Sequence, residues 1–266
     1  MEAEMMRYAF IGLGNMASAI LRGMHASPVY AQAELFGYDR HPEKAESLPV
    51  QYCPSLEQLC AHADVLMLCV KPYSLDDLLV KLRPLLNCNC IIASVAAGKP
   101  ISWYEERLPD LPFVRAMPNV NAGVNAGVTA ICGGSHATAD HVALIQGIFD
   151  AVGKTYVLEE KHFSTFSAIA GAAPAYTYLY MDALASAGVK AGLPKQVALS
   201  IAADMVLGSA VLLQKSGEHP AVLVDKVCSP GGTTIEGLHR LRELGFEHSV
   251  YEAIAAVIAK DRSLGS

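Results

Sequence analysis

A doubly wound α/β domain followed by an all-α helical domain is the fold this sequence predicts. Short apolar runs alternate with helix-patterned segments through the first part of the chain, the signature of strands joined by crossover helices. After about Thr155 the strand-like runs stop, and one helix pattern follows another. At 266 residues the chain is long enough for two ordinary domains.

The elements justify that reading in order. Arg7 to Gly14 is an apolar run ending in glycines, hence a strand, and Asn15 to Ser27 carries a helix pattern. Glu34 to Arg40 is a second strand. Ser55 to Ala63 reads as a helix with Ser55 as its N-cap. Asp64 to Pro72 is a continuous apolar strand of the kind buried on both faces of a parallel sheet. A helix over 74–86, a strand over 89–98, and a helix entered at Pro100 follow. Residues 112–119 and 127–134 are two further strands. In the second half, Pro174 and Pro194 mark helix starts, and Gly192 and Gly217 mark helix ends. We expect a nucleotide-binding domain over 1–158 and a helical domain over 159–266, without a low-complexity linker.

Composition narrows the function. Hydrophobic residues make up 52% and charged residues 17%, so part of the surface is expected to be buried in a homo-oligomer. A net charge of −6 gives no reason to expect nucleic acid or an anionic membrane as partner. Seven scattered cysteines without a Cys-x-x-Cys read as reduced thiols of a cytoplasmic protein. The opening Met-Glu-Ala-Glu is acidic where a secretory signal is basic. Phe163 to Val189 and Val197 to Leu213 carry one charge each, Asp182 and Asp204. They read as helices covered on all sides in an intertwined subunit interface, not as membrane spans. No His-Glu-x-x-His or His/Cys ligand spacing occurs, so no metal is expected.

Two local strings carry chemistry. Gly12-Leu13-Gly14-Asn15-Met16-Ala17 fits G-x-G-x-x-A at the first strand–helix junction. Gly12 allows the tight turn, Gly14 lets a pyrophosphate approach the backbone, and Ala17 permits close helix packing. The second strand ends at Asp39-Arg40. A carboxylate there suits the ribose 2′-hydroxyl of NAD, and a guanidinium suits the 2′-phosphate of NADP, so the pair argues in both directions. The second string is Ser229-Pro230-Gly231-Gly232-Thr233-Thr234, just before a helix pattern. Its glycines remove side chains where something small must approach the backbone. Its alternative reading is an ordinary turn with Thr233 as N-cap.

With these in place, more strings become readable: Val70-Lys71-Pro72, Ser94-Val95-Ala96-Ala97-Gly98, Arg115-Ala116-Met117-Pro118-Asn119, Gly171-Ala172-Ala173-Pro174-Ala175-Tyr176, and Ala187-Gly188-Val189-Lys190-Ala191-Gly192-Leu193-Pro194. In this order, and closed by the Ser-Pro-Gly-Gly-Thr-Thr string, they resemble the pyrroline-5-carboxylate reductases over residues 7 to 262. The resemblance implies a Rossmann domain and a helical domain that dimerises by interleaving, sometimes building rings. It implies reduction of the cyclic imine 1-pyrroline-5-carboxylate to L-proline by NADPH or NADH. It carries the substrate loop onto Ser229 through Thr234, with Thr234 hydrogen bonded to the ring nitrogen. It carries the nicotinamide neighbourhood onto Val70, Lys71, Pro72, Ala96, Ala97, Pro118 and Asn119, beside Gly12, Leu13, Gly14, Asn15 and Met16. Three places depart from the family's usual pattern: Val120-Asn121 in place of Thr-Pro, Gly171-Ala172-Ala173 in place of Gly-Ser-Gly, and Cys53-Pro54-Ser55 where an Asn is common. The competing readings are a related imine or hydroxyacid oxidoreductase and a non-catalytic NAD(P)-binding paralogue.

Overall fold

Strand and helix alternate from the start of residues 6–264, which the structure, a computed structural model, describes. The chain runs β1 (Arg7–Ile11), α1 (Asn15–Ala26), β2 (Glu34–Tyr38), β3 (Gln51–Tyr52), α2 (Leu56–Ala61), β4 (Val65–Leu68) and α3 (Leu75–Leu82). It continues through β5 (Ile91–Ser94), α4 (Ile101–Arg107), β6 (Phe113–Pro118), β7 (Gly127–Gly133), α5 (Ala139–Asp150) and β8 (Gly153–Val157). Helices alone follow: α6 (Phe163–Phe166), α7 (Ala173–Lys190), α8 (Lys195–Ser216), α9 (Pro220–Val227), α10 (Thr233–Glu243) and α11 (Phe246–Leu264).

The strands form one sheet in the order β3-β2-β1-β4-β5-β6-β7-β8, parallel throughout except where β6 meets β7. β1 lies between β2 and β4. The direction of winding reverses there, which opens a crevice at the carboxyl ends of the strands. Both sheet faces are covered, because successive strand residues point opposite ways. Tyr8, Phe10, Val65 and Met67 pack with Ile20, Leu21 and Met24 of α1 and with Ile145, Ile148 and Phe149 of α5. Ala9, Ile11, Leu66 and Leu68 pack with Leu59 of α2, Leu75, Leu79 and Leu82 of α3, and Tyr104 of α4. Ser55 caps α2 as its sequence position implies, accepting from the Gln58 N–H at 3.3 Å.

Three elements lie outside the sequence-based reading: α5, β8 and the two-residue β3. α5 is opened by a capping box in which Thr138 and His141 exchange bonds, and the usual Glu or Gln is missing from that signature. A continuous helical path runs from Phe163 to Lys190, with a π-helical turn over Ser167–Ala172 between α6 and α7.

The chain divides into two compact units. One is Met1–Gly171 together with Ile258–Ser266, and the other is Ala172–Val257. Within the second, α7 packs on α8 so closely that a Cβ at Gly188 would stand 3.0 Å from the Ala198 Cβ. Much of α8 otherwise faces outward, including Ile201, Leu207 and Leu212. Among the described helices, α8 is long and apolar enough to cross a membrane by length and composition.

Candidate functional site

The first unit gathers its candidate residues along one edge of the sheet, after the carboxyl ends of β1, β2, β4, β5 and β6. Gly12 turns the chain out of β1 with φ +89°, and its N–H donates to the Tyr38 carbonyl at 2.8 Å. A Cβ at Gly12 would stand 2.8 Å from the Cys69 carbonyl oxygen, so this glycine is required by the fold. Gly14 differs. It is the N-cap of α1 with φ −81°, and a Cβ there would meet nothing within 4 Å. Neither backbone strain nor packing demands glycine at 14. No side chain caps α1 either, which leaves first-turn N–H groups and the positive end of the helix dipole facing that open space. These residues fit the phosphates of a dinucleotide. Leu13 and Ala17 are buried below the loop, Met16 is half-buried, and Asn15 is exposed.

Asp39 follows β2 and turns inward. Its carboxylate accepts from the Leu13 N–H at 2.8 Å and the His41 N–H at 3.0 Å, and pairs with Lys44 Nζ at 3.1 Å. Burial raises its pKa, but these donors outweigh burial and hold the carboxyl below its ordinary range. Arg40, the next residue, is exposed.

Val70 and Pro72 are half-buried and Lys71 is exposed; Val70 adjoins Gly12. Ala96 is buried and its N–H donates to Ser94 Oγ at 3.2 Å, while Ser94 Oγ and Tyr104 Oη share a 2.8 Å hydrogen bond. Burial pushes the Tyr104 hydroxyl up to about 12, so it remains a neutral prop under this turn. Ala97 is exposed above it. At the end of β6, Pro118 is half-buried and Asn119 is buried. Asn119 Oδ1 accepts from the Val128 N–H and its Nδ2 donates to the Ala170 carbonyl, both at 3.0 Å. Four residues past Ala170 stands Pro174, which has no N–H to offer that carbonyl. The Asn119 amide therefore ties the β6 end to the π-helical turn. Its bonds account for its burial. Sequence reasoning missed Lys44, Ser94 and Tyr104 as supports, because each acts through a loop conformation that leaves no periodic pattern.

The second unit carries Ser229 to Thr234. The Gly232 N–H donates to the Ser229 carbonyl at 3.0 Å, Pro230 occupies the second turn position, and Gly231 the third with φ +65°. That is the residue logic of a type II turn. A Cβ at Gly232 would collide with Ser229 Oγ. Gly232, not Thr233, is the N-cap of α10, and no side chain caps the helix. Thr233 and Thr234 open it with both side chains exposed. Cys228, partly buried before the turn, is free like the other six cysteines.

Comparison with known proteins agrees with this geometry. The family model described as pyrroline-5-carboxylate reductase dimerisation matches residues 160–264, and the one described as NADP oxidoreductase coenzyme F420-dependent matches residues 7–98. A curated pyrroline-5-carboxylate reductase from Glycine max is 38% identical, covering 98% of this chain and 97% of its own length. The structure of 1-pyrroline-5-carboxylate reductase from Streptococcus pyogenes superposes with a TM-score of 0.87 at 38% identity, covering 98% of this chain and 100% of that one. A Plasmodium falciparum pyrroline carboxylate reductase with NADP bound has a TM-score of 0.89 at 29% identity, with 98% of each chain covered. With its glycine loop, its helical second half and identity of this extent over nearly its full length, the chain belongs to the pyrroline-5-carboxylate reductase family.

Proposed function

We propose that the protein reduces 1-pyrroline-5-carboxylate to L-proline with NADPH or NADH, the last step of proline biosynthesis. One observation carries this reading: the same chain holds a helix start without a side-chain cap at Gly14 and a second one at Gly232, the first suited to the phosphates of a dinucleotide and the second to a small anion. The near-full-length relatives named for this reaction support it.

In this reading Gly12 to Met16, Asp39 or Arg40, Val70 to Pro72, Ala96, Ala97, Pro118 and Asn119 form the dinucleotide's surroundings. When bound there, the reduced nicotinamide supplies a hydride for the imine carbon. Ser229, Gly231, Gly232 and Thr233 hold the substrate carboxylate through the turn backbone and the Ser229 hydroxyl. The Thr234 hydroxyl donates to or accepts from the ring nitrogen, orienting the imine and relaying a proton from water to nitrogen. A threonine hydroxyl does not ionise near neutrality, so its role is orientation and relay, and holding the reactants together supplies most of the rate.

The assignment extends to organisation. Residues 1–158 form the nucleotide-binding domain and residues 159–266 the substrate and dimerisation domain. The protein is a homodimer or a larger ring, acts in the cytoplasm, and has neither nucleic acid nor a membrane as partner. The dimerisation model over residues 160–264 and the outward apolar residues of α8 support self-association.

Purified protein with NADPH or NADH and pyrroline-5-carboxylate tests the reading. Substrate-dependent loss of the reduced-nicotinamide absorbance, with proline formed in equal amount, is the expected result. No turnover by a folded protein that binds the dinucleotide would overturn it.

A further inference from the structure

The turn between β5 and α4 is fastened at both ends. At its start, Ser94 Oγ accepts from the Ala96 N–H and shares a hydrogen bond with Tyr104 of α4. At its end, Glu160 reaches it from far along the chain. Glu160 Oε1 accepts from the Ile101 N–H and from Arg115 Nη1, both at 2.7 Å. Ile101 is the first residue of α4, and the N-cap, Pro100, has no side-chain acceptor for it. A carboxylate in that place also meets the positive end of the helix. Arg115 lies in β6 with a side chain only 9% exposed, and its guanidinium stands 4.7 Å from the centre of the Phe163 ring. A guanidinium so buried needs its counter-charge, which holds Glu160 against the sheet. One oxygen thus joins the end of the turn to β6. Between the two fastenings lie Ala96 and Ala97.

We infer that Glu160 is a positioning residue for hydride transfer. Through the Ile101 N–H it fixes the turn against which the nicotinamide lies, and Arg115 keeps its carboxylate in place. The inference rests on the proposed function and on Ala96 and Ala97 as nicotinamide neighbours. Hydride transfer is sensitive to a displacement of about 1 Å, which costs on the order of a hundredfold in rate. The phosphates of the dinucleotide are placed at Gly14, so loosening this turn should slow the reaction without releasing the cofactor.

The full-length protein tests it, with pyrroline-5-carboxylate and NADPH, unlabelled or deuterated at the transferred position. Removing Glu160 alone would strand a buried guanidinium, so the first pair of variants also carries Arg115→Met. Arg115→Met with Glu160→Gln keeps an oxygen for the Ile101 N–H and should stay within about threefold of the wild-type kcat. Arg115→Met with Glu160→Leu removes that oxygen. It should lower kcat about tenfold or more, raise the deuterium isotope effect on kcat, and leave the NADPH dissociation constant within about threefold. Glu160→Asp keeps the charge in an otherwise unaltered protein but draws it back by one methylene, and should show the same loss in kcat. A folded Glu160→Asp or Glu160→Leu variant with the kcat and isotope effect of the wild type would overturn the inference. So would equal losses in the Glu160→Gln and Glu160→Leu pair, or a loss of NADPH affinity that matches the loss in kcat. No turnover by the wild-type protein would overturn the proposed function and the inference with it.

Discussion

Gly12 and Gly14 stand two positions apart and are glycine for different reasons. The first is held by its own backbone, with φ +89° and the Cys69 carbonyl in the way, and the second by nothing in the protein. Gly14→Val is therefore expected to fold with a melting temperature within a few degrees of the parent, since an N-cap glycine is worth only about 1 kcal/mol over an aliphatic residue. It should weaken NAD(P)H binding by at least about a hundredfold through direct overlap. Fluorescence titration checks this, and unchanged affinity in the folded variant would remove the loop from the dinucleotide site. Thr234 is exposed at the start of α10, so its substitutions should leave stability alone. Thr234→Ser should keep most of the activity. Thr234→Val keeps the shape without the hydroxyl, and should lower kcat about tenfold or more while changing KM less. A fully active Thr234→Val would reduce the loop to a carboxylate cradle. Both strings were legible because a tight turn and a close backbone approach restrict residue type locally. The bonding of Asp39 was not legible. Its partners come from two loops whose courses no local rule fixes, so no pattern in the sequence shows that this carboxylate is bonded within the protein.

At the scale of elements, the strands and helices of the first unit were readable wherever apolar period and end signals agreed. α5 escaped because its capping box uses His141 in place of a carboxamide or carboxylate, and β8 because Gly153–Val157 buries only Thr155 and so shows no apolar alternation. The π-helical turn before α7 has no sequence rule at all. Its tie to β6 through Asn119 is a place where structure alone supplies the reason. Asn119→Ala would leave the Val128 N–H and the Ala170 carbonyl without their partners. A cost of about 2–6 kcal/mol is expected, as each of the two backbone groups left unpaired costs about 1–3 kcal/mol. Urea unfolding measures it, and a loss below about 1 kcal/mol would show that water or a small shift replaces both bonds. Because Asn119 also lies among the proposed nicotinamide residues, the same variant should be checked for cofactor affinity, which separates a prop from a ligand contact.

For the whole molecule, the high apolar fraction with few charges leads to the expectation that part of the surface is covered in an assembly. α8 offers such a surface, since Leu207 is 65% and Leu212 56% exposed. The protein is expected to be a dimer or larger at micromolar concentration by light scattering; a stable monomer would contradict this. That strands give way to helices after β8 was legible from where the apolar runs end. That the first unit takes back the last residues of the chain was not, because no local signal marks a helix whose end belongs with distant sequence. Asp261 lines one cavity with Pro72, Tyr73, Ala97 and Lys99. Such a contact spans most of the chain, and closing so long a loop is slow compared with forming the local helices. The wall that Asp261 adds beside Pro72 and Ala97 is therefore set only after the local helices of the fold have formed.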